Sequence, residues 1–118
     1  MTDGKTKPEA KPDISLPEFL SLVPVGTTIV GLDLGEKTIG VAVSDTLRIT
    51  ATPLKTIRRT AFAKDMDELA TLLKGRVLGG MVSGLPKQMN GEEGERAAAT
   101  RRLAERIAGH FGLPLYFQ

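Results

Sequence analysis

Cysteine is absent from the chain. Disulfides, thiolate nucleophiles and thiolate zinc sites are therefore excluded. Histidine occurs once, at His110, which rules out a metal cluster built on several imidazoles. Aromatic residues are scarce, at 4%. No apolar run approaches the roughly 18–20 residues of a membrane span. The opening MTDGKTKPEAKPD is polar and has no apolar stretch of the secretory kind. A cytoplasmic protein with no membrane partner is the expectation. Sixteen Lys and Arg against fourteen Asp and Glu leave a formal net charge of +2. That permits a nucleic-acid partner without demanding one. What is present, 41% hydrophobic and 25% charged residues over 118 positions, has the composition and length of one globular domain.

Residues 1–14 have no periodicity and are predicted to form a disordered tail. Lys5, Lys7 and Lys11 balance Asp3, Glu9 and Asp13, so this tail is not a basic arm. Residues 15–118 form the predicted domain. Ser15-Leu16-Pro17-Glu18 reads as a capping box that opens a short helix over about 16–22. The β-branched runs 27–34 and 38–44 are joined by Gly35-Glu36-Lys37, so they should pair as an antiparallel hairpin. A third strand follows over 49–57, and Pro53 places it at a sheet edge.

The period then changes. Phe62, Met66, Leu69 and Leu73 recur at helical spacing, with Gly75 as the stop. Val77 to Val82 reads as a buried strand, and Gly84-Leu85-Pro86 breaks it. Asn90, with Glu93 three residues on, is a candidate cap for a helix that carries Leu103, Ile107 and Phe111 and ends at Gly112. Leu113 to Phe117 is the fifth strand. The resulting order β-β-β-α-β-α-β predicts an α/β fold. Its mixed five-stranded sheet, in order 3-2-1-4-5, is flanked by helices, with Asp33 on the central strand.

Asp33 stands out because a carboxylate near the end of an apolar strand is costly unless it is paired or binds a metal. Gly35 beside it lets a ligand approach the backbone. A structural reading competes, in which Asp33 caps the amides of the following turn. Asp45 ends the second strand, at the far end of the hairpin, and reads as a turn residue. Lys37 and Lys87 lie in loops, while Arg58 and Arg59 lie at the third strand's exit. Such cations can hold a phosphate backbone without reading its sequence. Arg101, Arg102 and Arg106 read as a solvated helix face, and His110 as a partner of the helix C-terminus.

The segment Gly31-Leu32-Asp33-Leu34-Gly35-Glu36-Lys37-Thr38-Ile39-Gly40-Val41-Ala42-Val43-Ser44-Asp45 resembles the opening of the YqgF family. This family, also called RuvX-like, comprises pre-16S rRNA nucleases. The likeness continues through Pro53-Leu54-Lys55-Thr56-Ile57-Arg58. It returns in Gly84-Leu85-Pro86, in Met89-Asn90-Gly91-Glu92-Glu93-Gly94 and in Gly112-Leu113-Pro114. The resemblance implies an RNase H-like fold and a hydrolase that cuts phosphodiester bonds at the 5′ end of pre-16S rRNA. It also implies Mg²⁺ or Mn²⁺ as cofactor, Asp33 as catalytic metal ligand, and structured RNA or branched DNA as partner. Lys37, Thr38, Arg58 and Lys87 are the implied nucleic-acid contacts.

Two departures from the family pattern follow. Thr38 stands where the family usually has a basic residue, so one phosphate contact should be weaker or moved. The family pattern also continues beyond the strand matching Leu113–Phe117, with an Asp-Glu-Arg segment and a later acidic helix. Neither is in this sequence. A chain truncated after Gln118, incomplete at its active site and prone to self-association through its last strand is the expectation. Two other functions compete with the nuclease. One is a non-catalytic RNA- or ribosome-associated remnant. The other is an actin-like nucleotide-phosphate-binding fragment, suggested by Asp-Leu-Gly followed by Val-Ala-Val, but 118 residues cannot build its two lobes.

Overall fold

The computed structural model describes residues 13–45, 51–86 and 94–118. Alternation of side chains builds the sheet. In β1 (Thr28–Leu34), Val30, Leu32 and Leu34 are buried while Asp33 is exposed. β2 (Thr38–Ser44) repeats the pattern, with Ile39, Val41 and Val43 inward and Gly40 and Ala42 on the other face. The two strands pair antiparallel, with Asp33 opposite Gly40. β3 (Ala51–Arg58) pairs antiparallel with β2 at the sheet edge, as Pro53 requires. A register shift there leaves Val41 opposite Lys55 but Ala42 opposite Pro53. β4 (Leu78–Ser83) and β5 (Leu115–Phe117) run parallel to β1. The strand order is β3-β2-β1-β4-β5, so β1 is central.

Two helices, α2 (Phe62–Leu72) and α3 (Glu95–Phe111), cover one face. Met66 and Leu69 of α2 and Ala104, Ile107 and Ala108 of α3 meet Val30, Leu32, Ile39 and Ile57 of the sheet. Each large apolar side chain buried here contributes about 1.5–3 kcal/mol. The alanines of α3 let that helix sit close to the strands. Gly112 ends it in the left-handed region, at φ 67, and the Leu113 N–H closes back on the Ala108 carbonyl at 3.0 Å. At the start of α2, buried Asp65 accepts from both the N–H and the hydroxyl of Thr60, at 3.0 and 2.9 Å. That bond ties β3's exit to the helix.

The first helix, α1 (Leu16–Leu22), carries the expected capping box. The Ser15 N–H donates to Glu18 Oε1 at 2.9 Å, and the Glu18 N–H donates to Ser15 Oγ at 3.2 Å. These bonds hold the Glu18 carboxyl below its ordinary range, the backbone bond being the larger cause. α1 packs on the second sheet face. Phe19, 1% exposed, sits over Gly80 and beside Tyr116, whose ring centroid lies 5.7 Å away. Gly79 and Gly80 are thus not mere interruptions of a strand. A side chain at Gly79 would run into Thr27 and Val23, and one at Gly80 into Phe19 and Val23.

Two readings need correction. α3 begins at Glu95 with Gly94 as N-cap, not at Asn90, which lies outside the described residues. Glycine can hold the extended N-cap geometry without supplying an oxygen, so composition did not mark it. The arginines of α3 are not all solvated. Arg101 pairs with Asp13 at 2.7 Å and lies over Phe117, and Arg106 stacks on Phe62 at 3.8 Å. The three residues of the last strand are half-buried. Leu115 and Phe117 pack against the core, while the large apolar side chains exposed among the described residues are Leu16, Leu20, Leu22, Val25 and Val77.

Candidate active site

Three parallel strands end side by side at one edge of the second sheet face. β1 ends past Asp33, β4 ends at Ser83-Gly84, and β5 runs out at Gln118. The Gly84 N–H points at the Leu32 carbonyl at 3.5 Å, and the Gln118 N–H donates to the Ser83 carbonyl at 2.9 Å. Ligands of open α/β sheets gather at such carboxyl ends. Here the strand ends rim a depression of about 460 Å³. Gly31, Asp33, Gly40, Ala42, Thr56 and Gly84 are among its lining residues.

Asp33 is exposed, and its carboxylate makes no hydrogen bond or ion pair among the described residues. It does not cap the following turn. That turn is closed by backbone, the Gly35 N–H donating to the Thr38 carbonyl at 2.8 Å. Glycine clears the space around Asp33. A methyl on Gly40 would come within 3.3 Å of the Asp33 Cβ. An unpartnered carboxylate with room around it suits a hard cation that also needs water and phosphate oxygens. Among the described residues no group of three or more acidic or histidine side chains converges. The described donors thus fit one ligand position of a divalent ion and do not amount to a two-metal cage.

Pairing register decides which of the expected contacts share this face. Thr38 lies opposite Arg58, and both alternate with the inward-facing Ile39 and Ile57. They therefore stand on the Asp33 face, at the same end of the sheet. Lys37 lies in the turn between β1 and β2 and is exposed. Lys87 lies outside the described residues. Asp45 falls at the other end of β2, about 16 Å along the strand from Gly40 at ~3.3 Å per residue. It lines a separate hollow with Thr28, Thr52 and Arg76. His110 is also remote, with Phe62 and Phe111 edge-on to its ring.

Arg59 has a role that its sequence position did not show. Its Nη1 donates to the carbonyls of Gly35 and Glu36, at 2.8 and 3.2 Å, and its own N–H donates to the Lys37 carbonyl at 2.8 Å. It locks the turn that follows Asp33. The signal available was only a second arginine after a strand end.

A mixed five-stranded sheet in the order 3-2-1-4-5, flanked by helices, is the architecture of an RNase H-like α/β protein. The chain belongs to the RuvX family, whose model, described as "Holliday junction resolvase", matches residues 27–118. It is 50% identical over 101 residues to a protein of Cereibacter sphaeroides named "Putative pre-16S rRNA nuclease", a match covering 86% of this chain and 63% of that protein. A Ruegeria protein of the same name is 46% identical over 100 residues, covering 85% of this chain and 64% of the relative. The chain thus spans somewhat under two thirds of the length of these curated relatives. Among solved structures, the crystal structure of the Thermoplasma acidophilum Pelota protein aligns with TM-score 0.50 at 13% identity. It covers 78% of this chain and 27% of that one, and the likeness concerns the fold alone.

Proposed function

We propose that this chain carries the first metal-binding carboxylate of a nuclease that hydrolyses phosphodiester bonds in structured ribosomal RNA precursors. The observation that carries the reading is Asp33, unpartnered and exposed where three parallel strands end. Asp33 would hold Mg²⁺ or Mn²⁺, which would supply Lewis acidity at the phosphate and an activated water. Arg58 and Thr38, on the same face, orient the phosphate backbone, and Lys37 adds charge at the turn. Lys87 belongs to the same proposal. Arg59 holds the turn rigid beneath them. Residues 15–118 act as one domain in this reading. The cytoplasm is the proposed location, since ribosomal RNA is processed there, and no helix among the described residues is long and apolar enough to cross a membrane.

Catalysis of this class uses two ions about 3.5–4 Å apart, held by several carboxylates. The described residues supply one such ligand position, so the chain alone should bind nucleic acid and metal yet turn over slowly. The names of the relatives favour RNA, and the family description makes branched DNA the competing substrate. The test incubates the chain and its Asp33→Asn variant with a pre-16S 5′ precursor and with a four-way DNA junction, in Mg²⁺ or Mn²⁺. The expected result is metal-strengthened binding that prefers the RNA, with weak or no cleavage and with the metal effect lost in Asp33→Asn. Fast cleavage lost in Asp33→Asn would uphold Asp33 and overturn the single-ligand account. A metal effect that survives in a folded Asp33→Asn variant would overturn the reading.

A further inference from the structure

A second cavity, of about 200 Å³, lies across β1 from Asp33, between the Gly35-Glu36 turn and the first turns of α3. Two independent observations meet there. First, α3 is 17 residues long, and its N-cap is Gly94, with no side-chain capping bond. Among the described residues the first-turn N–H groups therefore lack a side-chain acceptor, and they carry the positive end of the helix dipole. Glu95 and Arg96 of that turn line the cavity.

Second, Thr100 lines the same cavity. It is 6% exposed, and its hydroxyl makes no hydrogen bond among the described residues. Thr71 of the neighbouring helix region shows the usual solution, donating to the Asp67 carbonyl one turn back at 2.9 Å. Thr100 makes no such bond. A buried hydroxyl left unmatched is costly and calls for a partner. Helical side chains lean toward the N-terminus, so this hydroxyl is directed toward the uncapped turn.

The chemistry of the missing partner follows from these donors. Backbone N–H groups and a helix N-terminus repel a cation and suit an acceptor-only oxyanion. The rim carries Arg59 and Arg96 but also Glu36 and Glu95. These four charges cancel, so recognition rests on directed donors rather than on a net field. Arg59 uses Nη1 on the turn carbonyls, and its other guanidinium N–H groups have no partner among the described residues.

We propose that this cavity is a phosphoryl-binding site. In it the first-turn N–H groups of α3 and the Thr100 hydroxyl donate to phosphate oxygens, with Arg59 and Arg96 at the rim. The phosphoryl group comes either from a nucleic-acid backbone or from a free phosphate. The site does not depend on the role assigned to Asp33.

The probes are inorganic phosphate and a short oligoribonucleotide without a terminal phosphate, each compared with chloride at matched ionic strength. Backbone amide spectra and thermal melts of the 118-residue chain are the readouts. Phosphate should shift the amides of Glu95, Arg96 and Ala97 and raise the melting temperature beyond the effect of chloride. Thr100→Val should weaken phosphate binding at least tenfold while leaving the ligand-free melting temperature unchanged or higher. Thr100→Ser should restore binding, Arg96→Gln should weaken it, and Asp33→Asn should leave it intact. Shifts of the same amides by the oligoribonucleotide assign the site to a phosphodiester; shifts by phosphate alone assign it to a free anion. Phosphate acting no differently from chloride would overturn the proposal. So would a folded Thr100→Val variant that binds as well as wild type.

Discussion

Gly80→Ala tests how α1 is held. A methyl at Gly80 would lie 2.7 Å from Phe19 Cζ and 2.8 Å from Val23 Cγ2. Carbon atoms are comfortable at ~3.5–4.0 Å, so both contacts fall short by roughly 1 Å. Both clashing residues belong to the same short segment, so α1 and its exit must move together. Overpacking of this kind costs about 1–3 kcal/mol. The anchor opposing it is the burial of Phe19, about 1.5–3 kcal/mol. Seven residues cannot hold a helix alone. The two magnitudes match, so the expected outcome is release of α1 from an otherwise folded sheet. Amide hydrogen exchange is the assay. Protection should fall over Phe19–Val23 and persist in β1 and α2. Phe19→Ala should do the same. Gly84→Ala, where nothing lies within 4 Å, should not. Full protection of α1 in Gly80→Ala would refute the socket.

Other perturbations follow from the same structure. Ser15→Ala removes the cap of α1 and should cost about 0.5–2 kcal/mol, read from the same local exchange. Glu18 titrates below its ordinary value of 4.5 in the folded chain, so its contribution is complete above that value and lost as pH falls through the depressed one. Acid titration should therefore loosen α1 in wild type, and Glu18→Gln should remove that pH dependence. Asp65→Ala strips two bonds from Thr60 and should lower stability by about 1–3 kcal/mol in denaturant melts, with Asp65→Asn milder. Arg59→Ala should speed exchange in the Gly35–Thr38 turn. Arg59→Lys should recover only part of the protection, because an ammonium cannot reproduce the fork. Light scattering after size exclusion should show self-association, since β5 forms an outer edge of the sheet among the described residues and α1 exposes Leu16, Leu20 and Leu22. A clean monomer contradicts this.

Local signals were legible where the chain itself sets the period. The alternation of Val30, Leu32 and Leu34 marked β1, the spacing of Met66 and Leu69 marked α2, and Gly112 marked the end of α3. Pro53 placed β3 at an edge because a proline cannot donate to a ladder. A lone carboxylate in an apolar strand drew attention to Asp33, which the structure leaves exposed near the end of β1, and its metal role is the proposal made above. What stayed hidden was long-range. The Gly79-Gly80 pair reads as weakness in a strand until Phe19, Val23 and Thr27, more than fifty residues away, are seen to occupy the space. Arg59 reads as one of two adjacent surface charges until its fork meets the Gly35 and Glu36 carbonyls. Asn90 with Glu93 imitated a cap, and only the backbone at Gly94 showed where α3 begins. Thr100 fits a buried helical stripe in sequence, and its unmatched hydroxyl is a property of packing alone.

The most direct test of Asp33 as a metal ligand is Mn²⁺ titration followed by paramagnetic broadening of backbone amides. Broadening needs only transient occupancy, so it does not require turnover or a complete cage. The signals of Leu32 to Gly35, Gly40 and Gly84 should broaden first in wild type and stay sharp in Asp33→Asn at the same Mn²⁺ concentration. Equal broadening of these signals in a folded Asp33→Asn variant, or broadening that starts elsewhere in the chain, would contradict the assignment.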